Sequence, residues 1–124
     1  SRRGSRAAKR EVDVDIREEE REGVCVIAPV GRIDSNTARD AEAALLPKFD
    51  GGRAIVVDFA ELTYISSAGL RVLLMAAKKS KASGVPLALS GMAPQVREVF
   101  QVSGFARLFA IYDDAGAAVS ALSG

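Results

Sequence analysis

The 124-residue sequence contains no histidine and a single cysteine. Without histidine it lacks the commonest general base near neutral pH and the commonest metal-binding side chain. With Cys25 as its one thiol, it can build neither an internal disulfide nor a zinc site of the usual Cys/His kind. That cysteine usage fits a reducing compartment, and a cytoplasmic location is expected. Long apolar runs are also scarce. The longest uncharged stretch, Ala82 to Val96, is interrupted by serine, glycine and two prolines, so no membrane span or membrane partner is expected. The basic N-terminus is not followed by the apolar core of a signal peptide. A broad positive field is missing too: residues 11–124 carry twelve basic and sixteen acidic residues, a net −4. A nucleic-acid partner is therefore not expected.

What is present is enough apolar content, 48% of the chain, to bury the core of one domain, read as residues 11–124. Residues 1–10, SRRGSRAAKR, hold five basic residues and no acidic one. They show no periodicity and read as a disordered tail, whose initial serine suggests a trimmed or engineered end. Val12, Val14 and Ile16 alternate with Asp13 and Asp15, the period of a strand with one wet face. Glu18 to Gly23 reads as a charged turn, and VCVIAPV as an antiparallel second strand that should fray or bulge near Pro29.

From Asn36 the spacing changes. Ala38, Ala41, Leu45 and Phe49 predict an amphipathic helix, capped by Asp34 or Ser35 and disrupted near Pro47. Gly51-Gly52 turns into AIVVDF, a run suited to a central strand covered on both faces. Leu70, Leu73, Leu74 and Ala77 predict a second helix that Gly84 closes. Its last lysines, Lys78, Lys79 and Lys81, suit the negative end of the helix dipole. PLALS, a helix from Pro94 to Gly104, RLFAIY and a short helix after Asp113-Asp114 complete the order ββαβαβαβα. The expected fold is α/β, with one mixed, mostly parallel sheet of about five strands and about four helices.

Between the third strand and the second helix stands YISSAGL, residues 64–70. Ser67-Ala68-Gly69 supplies the second half of a G-x-S-x-G nucleophile elbow, but Ile65 occupies the place of the first glycine and no histidine can serve as base. A serine hydrolase is the least favoured reading. No glycine loop of a phosphate-cradling kind appears. Asp34, Asp58 and Glu61 could gather around Mg²⁺, but with no phosphate site beside them Asp58 reads as a strand end and Asp34 as a cap. No metal, cofactor or catalytic residue is expected. Cys25, between Val24 and Val26, reads as a small buried hydrophobe. A serine at this helix start suits an N-cap, worth about 1 kcal/mol. Gly69 is not explained that way, since glycine within a helix costs about 1 kcal/mol against alanine. Its missing side chain lets another element of the fold, or another protein, come close.

Four segments, in order, carry a resemblance: GRIDSNTA at residues 31–38, IVVDFAELTYISSAGLRVLL at 55–74, PLALSG at 86–91 and VSGFARLFAIYDD at 102–114. Together they resemble the STAS domains, the sulfate-transporter and anti-sigma-factor-antagonist group, in the bacterial anti-anti-sigma form. The resemblance implies a mixed sheet with helices packed on it and a protein that is not itself an enzyme. It implies phosphorylation of Ser67, with Ser66 the alternative, by an anti-sigma factor that is a serine kinase of the ATPase-like histidine-kinase superfold. A metal-dependent Ser/Thr phosphatase would reset it. The partner surface implied is Asp34, Ser35, Thr37, Ser66, Gly69, Leu70 and Arg71, on a chain that is a monomer by itself. Ser66 departs from the Asp often found there, Ala68 from a second Ser or Thr, and Arg32 from the Glu of some relatives. The alternative within the family is an unphosphorylated scaffold module of a sensor, secretion, transporter or lipid-transport complex.

Overall fold

In the computed structural model, which describes residues 15–123, the chain opens with an antiparallel pair. Strand β1 (Asp15–Arg21) runs against β2 (Val24–Ile33), with Ile16 opposite Pro29 and Arg21 opposite Val24. The tail read at residues 1–10 and the alternation at Val12 and Val14 lie outside the described residues. The charged turn expected from Glu18 to Gly23 is corrected: Glu18 to Arg21 are strand, and only Glu22-Gly23 turn. Both turn residues have positive φ, 53° and 80°, the two-residue geometry that matches the twist of flanking strands. Lys48 reaches Glu18 at 2.9 Å and Arg53 reaches Glu20 at 2.6 Å, tying the charged edge to the body. Charge along an edge strand also discourages pairing with a second sheet.

β2 runs on past Pro29. It lies parallel to β3 (Ile55–Asp58) through Cys25–Ile27 and then, from Gly31, parallel to β4 (Leu62–Ile65), with a register shift between Gly31 and Arg32. The irregularity expected near Pro29 thus falls two residues beyond it. β4 is a sixth strand where five were expected. LTYI does not alternate, because Leu62 and Ile65 are buried at its ends while Thr63 and Tyr64 are exposed. The sheet order is β1-β2-β3-β5-β6, with β4 joined to β2 alone. β5 (Leu87–Ser90) and β6 (Ala110–Tyr112) are parallel to their neighbours. The strand expected over RLFAIY shrinks to those last three residues, since Phe105–Leu108 form a 3-10 turn.

Four helices pack on this sheet: α1 (Ala38–Leu45), α2 (Ser67–Ser83), α3 (Pro94–Ser103) and α4 (Ala115–Ser123). α1 begins two residues later than Asn36 and gives way at Pro47 to a 3-10 turn, Leu46–Gly51, that buries Phe49. Cys25, Ile27, Ile55, Val57 and Leu89 face α1, α2 and α3 in one core. Their strand neighbours Val24, Val26, Val56 and Ala88 face Ala118 and Val119 of α4 in the other. A sheet covered on both faces explains why AIVVDF reads as an unbroken apolar run. Each large side chain fully buried there contributes roughly 1.5–3 kcal/mol relative to exposure.

Candidate functional site

The pairing of Arg32 with Tyr64 and of Ile33 with Ile65 sets the GRIDS loop beside the turn into α2. The Ser66 N–H donates to the Ile33 carbonyl at 2.8 Å, so the two segments are joined where β2 and β4 end. The loop is held by a reciprocal clasp. Asp34 Oδ1 accepts from the N–H groups of Asn36 (2.9 Å) and Thr37 (3.1 Å), and Thr37 Oγ1 accepts from the Asp34 N–H (2.9 Å). The Thr37 hydroxyl also lies within donating distance of the Arg32 carbonyl, 3.0 Å. The reciprocal pattern is that of a capping box, but it closes the turn at residues 35–37 ahead of α1, whose N-cap is Thr37 with no side-chain cap hydrogen bond, so the capping expected of Asp34 or Ser35 is corrected. Ser35 is exposed. Partial burial acts to raise the Asp34 pKa, but the hydrogen bonds from Asn36 and Thr37 and the Arg32 charge outweigh it, and the carboxyl titrates below its ordinary range. Beside the clasp, the Arg32 guanidinium lies 4.3 Å from the centre of the Tyr64 ring, a cation–π contact.

At the start of α2 the two serines are not equivalent. Ser66 is the N-cap, with extended backbone, and its Oγ accepts from the Gly69 N–H at 3.2 Å. Ser67 is the first helical residue; it is exposed, and its hydroxyl has no hydrogen-bond partner among the described residues. A helix start leaves four amides without an intrahelical acceptor. Ser66 and Gly69 are satisfied as described, which leaves those of Ser67 and Ala68 directed at solvent or an anion.

Gly69 answers the question its helix propensity raises. A Cβ built there would lie 2.7 Å from Ile33 Cγ2 and 2.7 Å from Ile65 Cγ1. Another element of the fold makes the close approach: α2 rests on the ends of β2 and β4, and those two isoleucines are 2% exposed. Of the residues expected to meet a partner, Thr37 and Gly69 therefore lie inside, where they position the loop and the helix. Leu70 is largely buried, whereas Ser35, Ser67 and Arg71 are exposed.

Ser67, Leu70, Arg71 and Leu74 face Ser103 and Phe105 across an open cavity of about 230 Å³. Past that wall, RLFAIY reads as a strand in the sequence, whereas Leu108 ends a 3-10 turn. Leu108 is 57% exposed, and Val102 is 80% exposed. Beside Ser67, the polar side chains lining this cavity are Arg71 and Ser103, and neither is a general base. A larger cavity of about 390 Å³ on β1 and β2, lined by Arg17, Glu19, Asp58 and Glu61 among others, is walled by charges that partly pair, Arg17 with Glu61 at 3.3 Å. Among the described residues no group of three acidic or thiol side chains could hold a metal, so Asp34, Asp58 and Glu61 do not converge. Asp58 instead accepts from the Ser90 hydroxyl (3.2 Å) and the Ala60 N–H (3.3 Å) where β3 ends. Cys25 is buried, and that burial, then the nearby Glu18, raises its pKa against the opposing charges of Lys48 and Arg53. No helix among the described residues is long and apolar enough to cross a membrane.

A mixed sheet with an opening antiparallel pair, three helices on one face and an exposed serine at the start of α2 defines a recognisable class. Residues 15–118 match the STAS domain, and the chain belongs to that family. Over 101 residues it is 40% identical to a Bordetella bronchiseptica protein named as an anti-sigma factor antagonist, BtrV, covering 81% of this chain and 87% of that one. The crystal structure of an anti-sigma factor antagonist from Mycobacterium paratuberculosis superposes with a TM-score of 0.82 at 23% identity, over 90% of this chain and 95% of that one. The Bacillus cell fate determinant SpoIIAA, solved in its phosphorylated form, superposes with a TM-score of 0.67 at 21% identity, over 86% and 98%. At those two identities the likeness is one of fold.

Proposed function

We propose that this chain is an antagonist of an anti-sigma factor, a cytoplasmic binding protein and not an enzyme, that changes partners when Ser67 is phosphorylated. Unmodified, it binds an anti-sigma factor that is also a serine kinase of the ATPase-like histidine-kinase superfold, and so frees the regulator which that factor holds. Phosphorylated, it lets go, and a metal-dependent Ser/Thr phosphatase restores it. The observation that carries this reading is the division between the two serines: the Ser66 hydroxyl is committed to the cap, while that of Ser67 is exposed and unengaged. Its support from relatives is the 40% identical protein named as an anti-sigma factor antagonist and a fold neighbour solved in a phosphorylated form.

The chemistry suits such a switch. A phosphoserine adds about −1.5 to −2 charges, and at the first residue of α2 the helix dipole and the free amides favour an anion. The same charge placed on a contact surface repels acidic groups and requires desolvation when the partner closes over it. Asp34, Ser35, Leu70 and Arg71 surround that point and form the contact surface, with Thr37, Ser66 and Gly69 holding them in place. The test is incubation with ATP and the candidate kinase encoded in the same genome, followed by mass mapping of the phosphate. Modification should map to Ser67, persist in Ser66→Ala, and disappear in Ser67→Ala, while Ser67→Asp should bind the kinase more weakly. Full-stoichiometry modification of Ser67→Ala, or wild-type affinity in Ser67→Asp, would overturn the assignment.

A further inference from the structure

The cavity beside Ser67 does not end at Leu74. Leu74 is also a wall of a second opening of about 250 Å³, lined further by Ala77, Lys78, Lys81 and Leu108. The two join into one groove between α2 and the 3-10 turn at Phe105–Leu108. On α2 its lining falls at positions 67, 70, 71, 74, 77, 78 and 81, the three-and-four spacing of one helical face. At 1.5 Å per residue that face is about 21 Å long, or four helical turns. Its floor is apolar and open: Leu108 is more than half exposed.

The groove's rim is of one sign. α2 carries Arg71, Lys78, Lys79 and Lys81 and no acidic residue, whereas the rest of residues 15–123 holds eight basic and fourteen acidic residues. Lys79 lies 3.8 Å from Asp50. Arg71, Lys78 and Lys81, the three that line the groove, have no ion-pair partner among the described residues. The helix dipole accounts for Lys81 in the last turn of α2. It does not account for Arg71, which stands just past the first turn, where the dipole disfavours a cation.

We propose that this groove is a docking site for an acidic amphipathic helix of a protein partner. Its apolar side chains would seat against Leu74, Ala77 and Leu108, and its carboxylates would pair with Arg71, Lys78 and Lys81. The proposal rests on the partner-switching reading and gives it a mechanism. Ser67 stands at the mouth of a groove that selects negative charge, so a phosphate there opposes the ligand the groove is built to hold. A second copy of this chain is a poor occupant by charge, since the same basic rim would meet itself unless it found an acidic face elsewhere. The basic residues 1–10 are poor occupants for the same reason.

The test uses two synthetic 16-residue helical peptides with leucine at the a and d positions of a heptad, one with glutamate and the other with lysine at the remaining positions. Each is titrated into the isotope-labelled full chain while amide shifts are mapped. The glutamate peptide should shift Leu70, Leu74, Ala77 and Leu108, bind about tenfold tighter than the lysine peptide, and weaken severalfold between 50 and 500 mM salt. K78E/K81E, with both sites exposed or on the rim and unpaired, should fold normally and reverse the preference. Phosphoserine installed genetically at position 67 should weaken the glutamate peptide selectively. Equal affinity for the two peptides, preference for lysine, shifts mapping outside the groove, no saturation by millimolar peptide, or self-association abolished by L108S would each overturn the proposal. Because the peptides need no kinase, a chain that binds them but is never modified on Ser67 would fail the switch reading and leave the groove intact.

Discussion

Gly69→Ala should destabilise the fold although it places a better helix former inside a helix. The new methyl meets Ile33 Cγ2 and Ile65 Cγ1 at 2.7 Å, with Ile33 Cβ at 3.3 Å. Both isoleucines are 2% exposed and lie on paired strands, so neither has free space to rotate into. Crowding a packed core by one methyl typically costs about 1–3 kcal/mol, and the intrinsic gain of alanine over glycine in a helix is about 1 kcal/mol. The expected balance is a loss of about 1 kcal/mol, with α2 lifted by a few tenths of an ångström at the end that carries Ser67. Gly116 in α4 supplies the contrast: a Cβ there meets Asp114 Oδ1 at 3.4 Å and Arg21 Nη2 at 3.9 Å, which is ordinary contact. Gly116→Ala should therefore be neutral or stabilising by up to about 1 kcal/mol. Urea unfolding followed by circular dichroism gives both midpoints. Were Gly69→Ala as stable as wild type, the close seating of α2 on Ile33 and Ile65 would be refuted.

Ser66→Ala removes the cap on the Gly69 N–H and should cost about 1 kcal/mol, whereas Ser67→Ala, at an exposed and unengaged hydroxyl, should stay within about 0.5 kcal/mol of wild type in the same unfolding assay. Thr37→Val keeps the shape of a residue that is 1% exposed but leaves the Asp34 N–H without its acceptor; the expected loss is about 1–3 kcal/mol, with amide shifts confined to the 32–38 loop in NMR spectra. Asp34 titrates below its ordinary value when folded, so the stability it contributes is present above the unfolded pKa of about 3.9 and is lost as pH falls through the folded value. Asp34→Asn should accordingly be less stable than wild type at pH 7, and the difference should close as denaturation is repeated at and below about pH 4.

The elements that were legible in the sequence are those whose burial is one-sided or complete. α2 shows its apolar face at Leu70 and Leu73, which join Val72 and Ala76 in the core, whereas Leu74 and Ala77, expected on the same face, line an open cavity instead; β3 shows an unbroken run because helices cover both of its faces. Gly84 and Gly104 stand where α2 and α3 end. β1 was misplaced because an edge strand held by cross-strand charge, Lys48 to Glu18 and Arg53 to Glu20, needs no alternation of apolar residues. β4 was missed for a different reason. Its pairing depends on β2 changing neighbours between Ile27 and Gly31, a non-local event that four residues cannot announce, although Thr63, Tyr64 and Ile65 are all strand formers. At the site, the distinction between Ser66 and Ser67 also waited on geometry, since either serine satisfies the rules for a cap. Only the Ser66 backbone, extended at φ −92° and ψ 175°, aims its oxygen at the Gly69 amide.

The neighbouring serines place two demands on different atoms. Ser66 is half-buried and joined to the sheet through the Ile33 carbonyl, so a charge added to it would be partly desolvated, at a cost of several kcal/mol. Ser67, one residue on, projects from the first turn into an open cavity, where the helix dipole offers an anion about 0.3–1 kcal/mol. A charge there changes stability little. It does change what can approach Arg71, because their side chains, four residues apart on one helix face, line the same cavity. Gly69 makes the separation possible, since a side chain at that position would lift α2 from β2 and β4 and disturb the cap and the exposed hydroxyl together. A position that is nearly neutral for folding, and that the proposed switch uses for recognition, therefore follows from one glycine seating a helix and one serine capping it.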